Sequence, residues 1–458
     1  MPYNRQGAGK GGHSDFVRNP DVTEFLDSCT YLRQPSDEEA KAVAAMFQLA
    51  PKTATPLLPV HVLASDASKS DTPISDKLPS TQVGFLKISH VLIKMDQYAA
   101  LTGDESPYVD PFKVAQIHRE ATPITFTMPG SNIRYKGCDS VKDGFRWALF
   151  DQLSVDRSEH GAGQTLAKVL LALEDGPITI DNCPSCKAMG PFVFDETHLA
   201  HPCSACGGTV FVTDSLRLHE GISDFGDNSS AMTRMMNAIE HLMLASFILE
   251  VWTQAPSKLS ELTFVLDGPL ALFGEPAKLS QRIQRLIYKV NSALSKEGRA
   301  QMLVLGLQKT GGLMDHAKLI ERFITPGSLR VVDDNYRNRY ITGADSPAAN
   351  FGNETYYGQD FLFRTERGRI FNFAIPYPFP DKTYGGGGAN FAKAKVETPR
   401  YGQLIQQACD LIRYFEMDLY ESAIVPVALA HRHASISLVP GGKVLDIMVR
   451  TNLKTKTS

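Results

Sequence analysis

The sequence predicts an α/β fold, a mixed sheet flanked by helices with a small cysteine-rich module set into it. Three observations predict it. Two short β-favouring runs, His61-Val62-Leu63-Ala64-Ser65-Asp66 and Thr263-Phe264-Val265-Leu266-Asp267, each end on a carboxylate just before turn-forming residues. From Ser229 to Leu307 the order is helix, strand, helix, strand, which implies a parallel β–α–β crossover. Between these two halves lie two CxxC pairs, Cys183/Cys186 and Cys203/Cys206.

Composition sets the frame. A chain of 458 residues with 43% hydrophobic and 21% charged residues buries a large core in the manner of ordinary globular proteins. The net charge of −3 neither announces nor excludes a nucleic-acid partner, because a basic groove can sit inside a neutral total. No apolar run is long enough to span a bilayer and no secretory signal opens the chain, so no membrane role is expected and the location is expected to be cytoplasmic.

In chain order, residues 1–13 are Gly-rich and expected to be a disordered tail. Residues 14–54 read as a helical region, with Ser36 to Glu39 opening a helix in capping-box fashion and running on through AKAVAAMFQLA. The main core is expected over 55–176 and 212–440. Its first strand is read as stopping at Asp66, where a polar Ser/Asp/Pro loop begins, and the second as spanning Thr81–Ile93. Four consecutive glycines make 381–390 a mobile-loop candidate. A helix over about 401–417 follows, and SISLV and KVLDIMV read as final strands, placing a C-terminal strand and tail in 441–458.

The cysteines are the most specific local signal. Two CxxC knuckles can offer four thiolates to one tetrahedral Zn2+, and a closed four-thiolate site is structural rather than catalytic. Residues 177–211 therefore read as an inserted zinc ribbon, its strands supplied by PFVF and TVFV. The bland alternative, four unrelated buried cysteines, needs that spacing to be accidental. Cys29, Cys138 and Cys409 are scattered singly.

For Asp267 alone the bland reading is a cap for the helix that begins after Glu275. A third carboxylate changes the balance. In the apolar helix Ser229–Trp252, Glu240 lies about 18 Å back from Trp252 at 1.5 Å per residue. Asp267 lies about 17 Å along its strand from Leu262 at 3.3 Å per residue. An antiparallel helix and strand then bring Glu240 level with Asp267 and leave Glu250 near the opposite end. A buried glutamate among Ile239, Leu242 and Met243 needs a partner. Strand-Asp, strand, further strands, helix-Glu, strand-Asp is the element order of the ribonuclease-H-like fold. There, three carboxylates hold divalent cations for phosphodiester hydrolysis. Oxygen ligands without histidine or cysteine company favour Mn2+ or Mg2+.

The segments SDASKS, IEHL, FVLDGPLALFGEPA, LGLQKTGG, YYGQDFLFRT and PVALAHRHA together resemble the NurA-type nuclease family, over most of residues 55–440. The resemblance implies a ribonuclease-H-like core, a homodimer, a Mn2+-dependent activity on DNA and a HerA-type hexameric ATPase as partner, in end processing or anti-phage defence. By position it implies Asp66, Glu240 and Asp267 as metal-binding carboxylates, Lys309 as the lysine after the third strand, and His431 as the late histidine of the site. Tyr336 matches the active-site tyrosine, with Tyr340 and Tyr356 competing for that place. Two departures stand out: the first motif reads Asp-Ala-Ser in place of Asp-Gly-Ser, and the simplest members lack the ribbon. Lys309 also reads as a solvated loop lysine, His431 as a core histidine, and Asp333/Asp334 as helix caps. No P-loop follows the glycines, so any ATP hydrolysis belongs to a partner. Residues 14–50 are the expected partner-binding region. The competing functions are a non-catalytic zinc-ribbon adaptor and a ribonuclease on the same core.

Overall fold

The computed structural model describes residues 14–29, 35–102, 123–156, 165–174, 176–342, 355–416, 423–436, 445 and 447–451. The tail expected over residues 1–13 lies outside them. Thirteen strands are described: β1 (Gln48–Leu49), β2 (His61–Ser75), β3 (Leu78–Lys94), β4 (Ile124–Pro129), β5 (Ile178–Asn182), β6 (Met189–Phe194) and β7 (Ala200–Pro202). The others are β8 (Thr209–Phe211), β9 (Leu262–Asp267), β10 (Leu303–Gln308), β11 (Ser328–Val331), β12 (Gly358–Arg364) and β13 (Ile370–Pro376). Nine form one mixed sheet in the order β1-β11-β12-β13-β10-β9-β2-β3-β4.

Within it, β2, β3 and β4 form an antiparallel meander, while β9 runs parallel to β2 and β10 parallel to β9. Five strands in the order third, second, first, fourth, fifth are the ribonuclease-H-like arrangement the sequence predicts. Helices cover both faces, so β9 is buried along its middle rather than alternating in and out. One face packs against α5 (Ser229–Gln254) and α6 (Lys278–Lys296). These follow α1 (Pro20–Ser28), α2 (Asp37–Ala44), α3 (Val141–Leu153) and α4 (Leu166–Ala172) in the chain. The other face packs against α8 (Leu404–Phe415) and α9 (Val425–Ala434), with α7 (Gly312–Ile320) under the β11–β13 end. Among the described residues no helix is long and apolar enough to cross a membrane.

Four expectations are corrected. The first strand does not stop at Asp66: β2 continues to Ser75, because β3 pairs with it through Ser75 and satisfies its backbone, so polar turn-favouring side chains ride on a hairpin. The capping box at Ser36 and Glu39 forms, but its helix ends at Ala44, and Gln48–Leu49 pair with β11 instead. Within 381–390 a helix begins, Gly388–Ala394. In KVLDIMV, residues 445 and 447–449 are helical rather than strand. That turn buries Val449, exposes Ile447, and points Arg450 at Asp76 of the hairpin tip (2.7 Å). Residues 437–439 of SISLV lie outside the description.

Candidate functional site

Parallel pairing of β2 with β9 sets Ser65 opposite Leu266, which places Asp66 beside Asp267. Side chains alternate along a strand. Val62, Ala64 and Val265 point into the core under α8 and α9, so Asp66 and Asp267, two residues further on, share that face. There α9 brings His431. Ligand atoms of Asp66, Asp267 and His431 all lie within 4.8 Å of one another. His431 Nδ1 is 2.7 Å from Asp66 Oδ2, and the Ala67 amide donates to Asp66 Oδ1 at 2.8 Å. Lys309, one residue past β10, donates from Nζ to Asp267 Oδ2 at 2.5 Å. Gly268 turns the chain away at φ +141°, a conformation only glycine adopts readily. Ser68 ties α9 to β2, donating to the Ala434 carbonyl and accepting from the Ile436 amide.

Glu240 is level with these groups, as the helix–strand spacing predicts, but it arrives on the opposite face with α5. The pleat sends Ser65 that way, and Ser65 Oγ donates to Glu240 Oε1 at 3.1 Å. Glu240 is therefore one residue removed along β2 from Asp66, buried, and outside the three-residue donor cluster. Tyr357, not singled out from sequence, reaches the same part of α5. Its hydroxyl is 2.6 Å from His241 Nδ1, and burial, then the Glu240 charge, raise its pKa well above the ordinary tyrosine value. Its amide donates to the Leu270 carbonyl in the loop after Asp267 (2.9 Å). Tyr336 is instead paired with His316 (2.7 Å) in the separate apolar cluster under α7, where Tyr340 also packs, and Tyr356 meets Phe273 edge-on. Asp333 caps the turn at Tyr336, the bland role foreseen for it. Ser65 and Tyr357 were missed from sequence. Strand parity, in which Ser65 faces away from Asp66, was the signal available for the first.

Burial and the Asp267 charge push the Asp66 carboxyl up against the opposing pull of His431. Burial, then Asp66, pushes Glu240 up to about 8 against the Ser65 hydrogen bond. Burial and like charge thus make the ionised Asp66 carboxylate costlier than in water, a cost that a bound cation would offset. Two ligands of one ion stand no further apart than twice the bond length, roughly 4.0–5.2 Å for bonds of 2.0–2.6 Å; the three donors, all within 4.8 Å of one another, fall within the upper part of that range, and bonds as short as those of Mg2+ need them drawn closer. Beside the two carboxylates of the expected oxygen set stands an imidazole, His431, within reach of the same ion.

The four cysteines form the second cluster. Cys183–Cys206 and Cys186–Cys203 sulfurs lie 3.9 Å and 3.7 Å apart. Four thiolates on a tetrahedral ion at about 2.3 Å would stand about 3.8 Å apart, so the geometry fits Zn2+. The two knuckles are built alike. Cys183 N bonds Ala188 O, and Lys187 N bonds Cys183 O; Cys203 N bonds Gly208 O, and Gly207 N bonds Cys203 O. Lys187 and Gly207 take the left-handed turn in each. Amides of Cys206 and Ala205 bring the Cys203 thiol down to about 7, whereas burial pushes the Cys183 thiol up, and Cys206, against the pull of the Gly208 amide, rises to about 12 beside the other thiols. His198 lies outside the four-sulfur cluster, hydrogen-bonded to Asp195.

The module is not a loose appendage. Cys183, Cys203, Phe194 and Val210 belong to the core that contains α5. Buried Arg146 of α3 forks onto Asp214 (2.8 and 2.6 Å) and reaches Ser185 Oγ between the first two cysteines and the Thr209 carbonyl, each at 2.7 Å.

No family model matches the chain, and no curated protein matches it. Among solved structures, the NurA nuclease from Sulfolobus solfataricus is similar over 97% of this chain and 98% of that one, at a TM-score of 0.37 and 10% sequence identity.

Proposed function

We propose that this protein is a metal-dependent nuclease that hydrolyses phosphodiester bonds in DNA. The convergence of Asp66, Asp267 and His431 at one edge of the parallel β2–β9 pair carries the reading. Divalent cations, Mn2+ or Mg2+, supply at such a site the Lewis acidity that phosphodiester hydrolysis needs. Asp66 and Asp267 hold them. His431, hydrogen-bonded to Asp66 and largely open to solvent, either completes the donor set or fixes the carboxylate's orientation. Lys309 neutralises Asp267 before cations arrive and is placed to meet a phosphate oxygen afterwards. Glu240, through Ser65, steadies β2 from behind and balances the charge of the filled site. Tyr336 has no part in this arrangement. The four cysteines hold Zn2+ and make the ribbon part of the folded core. A homodimer working with a HerA-type hexameric ATPase, in end processing or anti-phage defence, is the assembly we attach to this reading.

Digestion tests it directly. Linear and circular DNA, and RNA in parallel, are incubated with purified protein in Mn2+, in Mg2+ and in neither. Loss of DNA only in the presence of a cation is expected. Intact DNA under every condition would sink the reading, and loss of RNA alone would favour the ribonuclease instead.

A further inference from the structure

We infer that Lys87 and Arg432 seat the phosphate next to the reacting one, so that a nucleic-acid backbone crosses the carboxylate pair toward β3. The inference deepens the nuclease reading and rests on it for the role of Asp66 and Asp267, but its own observations are separate. Register puts Lys87 on the face of the site. Across the antiparallel β2–β3 ladder Asp66 pairs with Ser89, and Ser68 with Lys87. Paired residues share a face, and so do residues two apart on one strand. Asp66, Ser68, Ser89 and Lys87 therefore look the same way as Val91 and Ile93, which pack in the core under α8 and α9. Asp66 and Lys87 are diagonal neighbours on that ladder, about 7–8 Å apart by its usual spacing. A long side chain spans such a gap.

The last turn of α9 brings Arg432 to the same place. Ser68 fixes that turn over the ladder, donating to the Ala434 carbonyl and accepting from the Ile436 amide (3.2 Å). Lys87 stands directly opposite Ser68, and Arg432 is two residues before Ala434. His433 lies close to both, since burial and then the charges of Lys87 and Arg432 push its imidazole down. Arg432 is exposed and Lys87 half-buried.

The other cations nearby are engaged. Lys309 pairs with Asp267 and His431 with Asp66, while Lys69 points to the opposite face and pairs with Asp71. Among the described residues neither Lys87 nor Arg432 forms an ion pair. Beyond Asp66 the same face of β2, β3 and β4 carries no carboxylate; Ser70, Thr125 and Thr127 stand there with Ser68 and Lys87. Lys309 follows β10 and Lys87 sits on β3, so a cation flanks the β9–β2 carboxylate pair on each side. A backbone with anions at regular steps matches that order. The bland account is that cations near a helix end complement its dipole. It leaves Lys87, on a strand, without a role, and it predicts no effect on nucleic-acid binding.

Binding without cleavage separates the two accounts. Fluorescence anisotropy of labelled oligonucleotides, duplex and single-stranded, is measured against salt in buffer without added divalent cations. In Lys87→Gln/Arg432→Gln, loss of two phosphate contacts should shrink the slope of log affinity against log salt by about 1.8 for duplex or about 1.4 for single strands. Lys87→Arg and Arg432→Lys keep the charges and should keep the slope. Lys289→Gln, at an exposed position of α6 on the opposite face of the sheet, should change it little. Arg432→Gln alone should remove about half of the double variant's effect, and it stands in if that variant misfolds. An unchanged slope overturns the inference. So does an equal loss in Lys289→Gln, which would mean diffuse attraction, and so does absence of binding by the parent.

Cleavage in Mn2+ supplies the second readout. The phosphate in the seat does not react, so the double variant should raise KM and leave kcat nearly unchanged. A fall in kcat at unchanged KM overturns the seat. A parent that binds through this pair yet never cleaves would sink the nuclease reading alone, and cleavage with an unchanged salt slope would sink the seat alone.

Discussion

The two clusters of candidate ligands are opposites in construction. Four cysteines within 23 positions of sequence form one, each presented by a local turn that any nearby chain can make. The other joins Asp66, Asp267 and His431, with 365 positions between the first and last. It exists only because a parallel strand pair and a late helix meet. The first gathers thiols with backbone amides aimed at sulfur, which lower Cys203 although burial and neighbouring thiols raise Cys183 and Cys206. The second gathers like charges that raise one another's protonation. The difference teaches what each does for the fold: the cysteine cluster should stabilise the protein, and the carboxylate cluster should cost stability until cations fill it.

Removing one member of each should separate them most sharply. Asp267→Asn is expected to lower DNA cleavage on the order of a thousandfold or more, since several kcal/mol of cation-borne stabilisation is lost. Its thermal midpoint without added divalent cation should stay level or rise, because repulsion on Asp66 is relieved. A large fall in that midpoint would count against the like-charge account.

Cys203→Ser should do the reverse. Elemental analysis should find stoichiometric zinc in the parent and none in the variant, with a loss of stability on the order of several kcal/mol. A purely local module would confine that loss to the ribbon. Here Cys203 packs in the same core as α5, so protease sensitivity should extend to that helix and cleavage should fall secondarily. Unchanged metal content and melting would remove the zinc site from the argument.

A subtler contrast lies in pH. Folded Glu240 keeps its proton to about pH 8, whereas its ordinary value is 4.5. Between those limits the folded state binds the extra proton, so stability of the cation-free protein should fall as pH rises, with a slope of up to about 1.4 kcal/mol per unit. Glu240→Gln should flatten that decline in urea titrations from pH 5 to 8. An identical slope in the variant would show that another group carries it.

The smallest effect is expected at Glu250. It sits on the same helix but pairs with Gln254 one turn on. Glu250→Gln should change neither cleavage nor melting measurably, and a loss like that of Glu240→Gln would undo the helix–strand geometry.

What the sequence determined by itself is whatever is decided within a few residues or one element. The CxxC knuckles, the capping box at Ser36, the apolar run into Asp267 and the helix–strand–helix–strand order all survive in the structure, because hydrogen bonds of near neighbours and buried periodicity decide them. The level of Glu240 was legible too, since rise per residue is a property of the element.

Tertiary structure alone decided the rest. The sheet chose which face Glu240 approaches, and a strand's pleat puts Ser65, not Asp66, in its reach. Pairing with β3 kept β2 extended through Asp66 to Ser75 against its turn-forming composition. Burial against His316 removed Tyr336 from contention and left Tyr357 beside Glu240. Arg146, an ordinary helix residue in sequence, became the buried fork that seats the ribbon. Each of these depends on a partner far along the chain, and the free energy of such pairings is set by register and burial, which one-dimensional patterning does not encode.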